Sequence, residues 1–151
     1  MPQLPKARYL EISTFRVRLG RDEDFAAGVK MFQDAHKKAE IEEPWAVYQL
    51  VSGAPAGTYL IFTHLKSLQD LDSDMAYDAK VKEAMGEDNM KKMMRGTGDV
   101  FVWMESDVYS LDPKISYVPK EFAAMDPAFW EPAPSEMAKA ATSQKKRPKE
   151  K

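Results

Sequence analysis

The 151-residue chain contains no cysteine. This excludes disulfides, thiolate metal ligands and cysteine nucleophiles, and leaves the redox compartment open. Histidine is scarce as well: only His36 and His64 are present, and no HxH, HxxxH or HExxH spacing brings imidazoles together around a metal. The acids of DEDF and DLDSD lack the glycine and terminal glutamate of a calcium-binding EF-hand loop, so no metal site is expected. No run of about 18 apolar residues is available to span a bilayer, and the start, MPQLPKARYL, lacks the apolar centre of a signal peptide. The default expectation is a soluble cytoplasmic protein, with an exported mature form as the alternative. A basic excess is missing too, because the net charge is -2. Lys145, Lys146, Arg147, Lys149 and Lys151 against Glu150 give the last seven residues +4, so residues 1–144 carry -6. An acidic body argues against nucleic acid as a partner. The tail KKRPKEK, residues 145–151, reads as a solvated, disordered end.

What is present, 44% hydrophobic and 30% charged residues, suits one globular domain able to bury its own core. The pattern divides the chain into an N-terminal extension over 1–8, a domain over 9–111, a proline- and aromatic-rich arm over 112–144, and the basic tail. YLEISTFRVR, residues 9–18, has the β-branched and aromatic content of a strand, closed by Gly20. RDEDF then places Asp22, Glu23 and Asp24 at a helix start, where carboxylates favour the positive end of the dipole and Asp22 can cap free amides. Phe25, Val29, Phe32, His36 and Ala39 recur at spacings of three and four along one face, and Pro44 is expected to end the helix. Trp45 to Ser52 and Thr58 to Leu65 read as a hairpin around Ala54-Pro55-Ala56-Gly57. Ser67 with Asp70 resembles a capping box opening a second helical region, broken at Gly86 and ended by Gly96. DVFVWMESDVYSL, residues 99–111, is the last strand. Beyond it, five prolines between Asp112 and Pro134 suggest an arm laid over a surface rather than another layer.

Strand, helix, strand, strand, helix, strand is the split βαβ order. It predicts an α+β, ferredoxin-like βαββαβ fold with a four-stranded antiparallel sheet and helices on one face. The hairpin is apolar on both of its faces, which calls for helices behind it and a second copy of the chain in front. YLEISTFRVRLGRDEDF, WAVYQLVSG and TYLIFTHLKSLQDLD together resemble the dimeric α/β-barrel superfamily, in particular antibiotic-biosynthesis-monooxygenase-like and NIPSNAP-like proteins, over residues 8–110. The resemblance implies a homodimer with facing sheets and a small-molecule pocket in each subunit between sheet and helices. It fixes no reaction, because such folds host catalysts and binders alike.

Six side chains are candidates for that pocket. His36, on the apolar helical stripe, and His64, at the end of the third strand, are the candidate proton-transfer groups. Trp45, Tyr48 and Trp103 would line an aromatic site, and Arg16 would pair an anionic group. The ordinary structural alternatives are a helix-end imidazole, a core aromatic and an outward-pointing arginine. The ten methionines are read as core fillers. The function expected is cofactor-independent, monooxygenase-like chemistry on an aromatic or polyketide-like substrate. A noncatalytic small-ligand binder, or a structural interaction module built on the arm, is the alternative. No cofactor is expected. Haem, which relatives that degrade it would hold through an axial histidine, is the less favoured possibility.

Overall fold

In the computed structural model, residues 4–131 are described. They form two compact units, residues Ala7–Ser110 and a smaller one made of the residues before Ala7 and those after Ser110. The larger unit runs β1 (Tyr9–Val17), α1 (Asp22–Lys38), β2 (Trp45–Gln49), β3 (Thr58–Leu65), α2 (Gln69–Met85), α3 (Glu87–Val100) and β4 (Phe101–Ser110). The strands pair antiparallel throughout in the order β2-β3-β1-β4. This is the ferredoxin-like arrangement, with its second helix divided in two.

The division falls at Gly86. Its backbone, at φ 79 and ψ 156, lies in a region essentially reserved for glycine, so α2 stops at Met85 and α3 starts at Glu87. Gly96 does not end the helical region as its sequence position suggests. It lies inside α3, which continues to Val100, because an interior glycine lowers helix propensity without forbidding the conformation. Pro44 is likewise not the terminator of α1. The helix closes earlier, with the Ile41 N–H donating to the His36 carbonyl at 3.0 Å and the Glu40 N–H to the Lys37 carbonyl at 3.2 Å. Those two bonds around a left-handed residue make a Schellman cap, and here Glu40, at φ 55, occupies the position that glycine usually fills.

At the other end of α1, Asp22 does not cap the helix through its side chain. Its carboxylate instead accepts a hydrogen bond from the Tyr59 hydroxyl at 2.7 Å, tying the helix start to β3. The Ser67–Asp70 pair makes only half of a capping box, because the Ser67 hydroxyl accepts no helix amide and no side chain caps α2. The Asp70 carboxylate accepts from the Lys66 and Ser67 backbone amides at 2.6 and 3.2 Å and from the Ser67 hydroxyl at 3.1 Å.

Buried side chains gather in two clusters. Val17, Phe25 and Val100 pack with Phe15, Tyr59 and Phe101, binding the sheet to α1 and α3. Ala35, Val81 and Met85 pack with Phe32, Ile41 and Met93, binding the three helices to one another. Met85, Met90 and Met93 thus do fill core space, whereas Met94 and Met104 are exposed. The strands bounded by the sequence pattern are longer than those formed. β2 stops at Gln49 and β1 at Val17, which leaves Arg18 beyond the strand.

In the smaller unit, α4 (Lys120–Ala123) and α5 (Pro127–Trp130) follow an irregular stretch. Trp130 is buried against Phe122 and Phe129, and its indole N–H donates to the Pro5 carbonyl at 2.8 Å. The remainder of the arm from Pro132, and the basic tail, lie outside the described residues.

Candidate functional site

Alternation along the strands assigns the two faces of the sheet. Register places Trp45, Thr63, Glu11 and Val108 on one line across it, then Val47, Ile61, Ser13 and Ser106, then Gln49, Tyr59, Phe15 and Met104. These side chains turn toward the helices. Between them and α1, α2 and α3 lies a cavity of about 640 Å³, within the size range of small-molecule sites. Its walls draw on both core clusters, with Phe25 and Val100 from one and Phe32, Val81 and Met93 from the other.

The cavity is apolar over most of its wall and polar toward the first of those lines. Glu11 and Thr63 stand side by side in its floor, and Ser13 is engaged with the Ser106 hydroxyl across β1 and β4. His36 looks into the same end from α1. Its imidazole is buried, with 5% of its surface exposed, and is held by the rings of Phe32 at 4.3 Å and Trp45 at 4.9 Å. The Nδ1 atom lies 3.0 Å from the Phe32 carbonyl. A carbonyl only accepts, so the neutral ring carries its proton on Nδ1 and keeps the Nε2 lone pair available. At the rim, Asp24, Asp78 and Lys92 are exposed, and Arg21 pairs with Asp24 at 3.2 Å.

The six side chains singled out in the sequence are divided between the two faces. His36 and Trp45 line the cavity. Arg16, Tyr48, His64 and Trp103 have the opposite strand parity and stand on the face away from the helices. Tyr48 meets Phe62 edge-on at 5.0 Å, and Tyr48, Trp103 and Tyr109 are each about half exposed. Burial holds His64 below the ordinary imidazole value, favouring its neutral form. One guanidinium nitrogen of Arg16, Nη1, is buried with no hydrogen-bond partner among the described residues.

Glu11, Thr63 and Glu43 are among the polar cavity residues not anticipated from the sequence. A signal for the first was present: Glu11 shares strand parity with Phe15, so any face that buries the phenylalanine also turns the carboxylate inward. Among the described residues no group of three or more histidine, cysteine, aspartate or glutamate side chains is arranged to hold a metal ion, and no helix is long and apolar enough to cross a membrane.

No protein-family model and no curated protein sequence matches the chain. Solved structures do. A NIPSNAP family protein from Agrobacterium tumefaciens superposes with a TM-score of 0.53 at 12% identity, covering 73% of this chain and 90% of that one. The chain shares the fold of NIPSNAP proteins. A NIPSNAP-like domain protein from Burkholderia xenovorans gives 0.51 at 14% identity over 76% of this chain and 90% of its own. A Bordetella bronchiseptica protein provisionally named an antibiotic biosynthesis monooxygenase gives 0.46 at 14% identity, over 70% of this chain and 98% of its own. Identities this low carry the NIPSNAP likeness as far as architecture and no further, so chemistry has to be argued from the cavity itself.

Proposed function

We propose that the chain binds a small aromatic or polyketide-like molecule in the cavity between sheet and helices, and that His36 moves a proton on it. The observation that carries this reading is a buried imidazole in the cavity wall whose Nδ1 lies 3.0 Å from the Phe32 carbonyl. With Nδ1–H donated to the Phe32 carbonyl, Nε2 can accept the proton of a bound phenol or enol. For a substrate with a methylene activated by an adjacent ring and carbonyl, loss of that proton gives an electron-rich carbon. Reaction with dioxygen then converts CH2 to C=O and releases one water. This is the cofactor-independent, monooxygenase-like version of the function.

A haem-dependent version fits this site poorly. Haem would have to be held by His36, whose ring packs against those of Phe32 at 4.3 Å and Trp45 at 4.9 Å and so offers little room for a macrocycle beside it.

On the opposite face, Tyr48, Trp103 and Tyr109 form an exposed aromatic surface of the kind that a second copy covers. The working assembly is therefore a homodimer with sheets facing, a role that also takes up Arg16 and His64.

Titration with 2-naphthol tests the site. Binding should quench Trp45 fluorescence and raise the melting temperature, and His36→Phe should weaken binding by about tenfold, the scale of one lost buried hydrogen bond. Binding that survives this change undiminished would remove His36 from the site. Oxygen uptake with electron-rich phenols and anthrones then separates a catalyst from a binder: binding without uptake leaves the noncatalytic reading.

A further inference from the structure

Unlike Gly86, whose backbone angle accounts for glycine, Gly28 in α1 and Gly96 in α3 have ordinary helical angles. Neither is needed for close packing. A Cβ built on Gly28 meets nothing within 4 Å, and one on Gly96 meets only a Val100 methyl at 4.0 Å. Glycine inside a helix is less stable than alanine, so what it supplies at both places is empty space. That space belongs to the cavity. Gly28 lies between Phe25 and Phe32, three and four positions away on one face of α1, and Gly96 lies likewise between Met93 and Val100 on α3. All of these residues line the cavity. A side chain at either glycine would therefore project into it.

We infer that Gly28 and Gly96 are specificity-determining residues, which hold the outer part of the cavity open for the far end of a ligand whose hydroxyl meets His36. The inference rests on the cavity being a ligand site with His36 at its inner end, and adds the residues that set ligand length. Gly28 stands just over two turns back along α1 from His36, about 12 Å on the helix axis. A single ring anchored at Nε2 does not reach it. Phe25 and Val100 share one core cluster, and each glycine is one helical turn from its member of that pair, so the two flank the same part of the cavity. Asp24 and Lys92, each four positions before a glycine, mark the rim beyond. Since Phe25, Phe32, Met93 and Val100 surround the gap, the ligand end that fills it is apolar.

A ruler of 4-ethylphenol, 4-butylphenol and 4-hexylphenol tests it by calorimetry at neutral pH. Affinity for the unaltered protein should rise about fourfold for each methylene added. Gly28→Leu and Gly96→Leu should bind 4-ethylphenol within about threefold of the unaltered protein, and 4-hexylphenol at least about tenfold more weakly. Gly98→Leu, at an exposed position of α3 away from the cavity wall, should change neither. Gly28→Ala and Gly96→Ala should raise the melting temperature by about 2–4 °C and weaken 4-hexylphenol more than 4-ethylphenol, which keeps the test available if a leucine variant does not fold. Undiminished binding of 4-hexylphenol to the leucine variants, or equal weakening of the short and long phenols, overturns the inference while leaving the cavity as a binding site. So does an affinity for the unaltered protein that fails to rise beyond 4-ethylphenol. A lowered melting temperature in both alanine variants overturns it too, because the glycines would then serve the backbone. If none of the three phenols binds the unaltered protein, the ligand-site reading falls together with the inference.

Discussion

Tyr59 shows how one contact couples packing to protonation. Its pKa is pushed up to about 12, first by burial, then by its hydrogen bond to Asp22 and the charge of that carboxylate. A phenol with a raised folded-state pKa stabilises the fold fully below its ordinary value near 10, and that contribution is lost as pH rises through the folded value. Unfolding of the protein should therefore become easier between about pH 10 and pH 12. Tyr59→Phe should flatten that limb of the stability curve in denaturant titrations; an identical limb in the variant would assign it to other groups. Asp70 works in the opposite direction. Burial raises its pKa, but the backbone amides of Lys66 and Ser67, the Ser67 hydroxyl and the Lys66 charge outweigh that and leave it below the ordinary carboxylate value. Its contribution is present above that ordinary value and disappears as pH falls through the lowered one.

At the scale of elements, the ends of the helices separate what local sequence dictates from what it does not. The start of α2 was legible in part, because the Asp70 carboxylate can hold the Lys66 and Ser67 amides and the Ser67 hydroxyl without help from elsewhere. The end of α1 was not. A Schellman cap is normally announced by glycine, and here Glu40 adopts φ 55 while Ile41 reaches back into the helix cluster. Tertiary contact selects that conformation against local preference, and Pro44 only confirms a stop already made. Glu40→Gly should consequently raise stability by about 0.5–1 kcal/mol, by relieving the left-handed penalty. Gly86→Ala should lower it by about 1–3 kcal/mol, although no atom blocks the added methyl, because only the backbone angle resists it. Chemical denaturation of both variants checks the pair, and a destabilised Glu40→Gly would mean that the carboxylate itself is needed. The candidate site was legible to the same degree. The helical stripe turned His36 toward the sheet, and His36 and Trp45 both line the cavity. Alternation alone already separated Arg16 from Phe15 and Tyr48 from Trp45, whereas relating His64 and Trp103 to the same face required the register between strands.

For the whole molecule, the face opposite the helices sets the expected assembly. A twin covering it should give a particle of twice the 17.1 kDa chain mass in sedimentation at micromolar concentration. Phe62, at the centre of that face and beside Tyr48, points away from the buried clusters, so Phe62→Asp should yield a folded monomer. A wild-type monomer would rule out the sheet-to-sheet dimer and leave the cavity as a property of the single chain.

The bond between Trp130 and Pro5 spans 125 positions of sequence, yet the pairing of β1 with β4 sets Tyr9 opposite Ser110. Most of the entropy of closing so long a loop is thus already lost once those strands zip together. The indole clasp then has only a short residual search to complete. The smaller unit should accordingly form late and quickly, as a follower of the sheet rather than as a nucleus of its own.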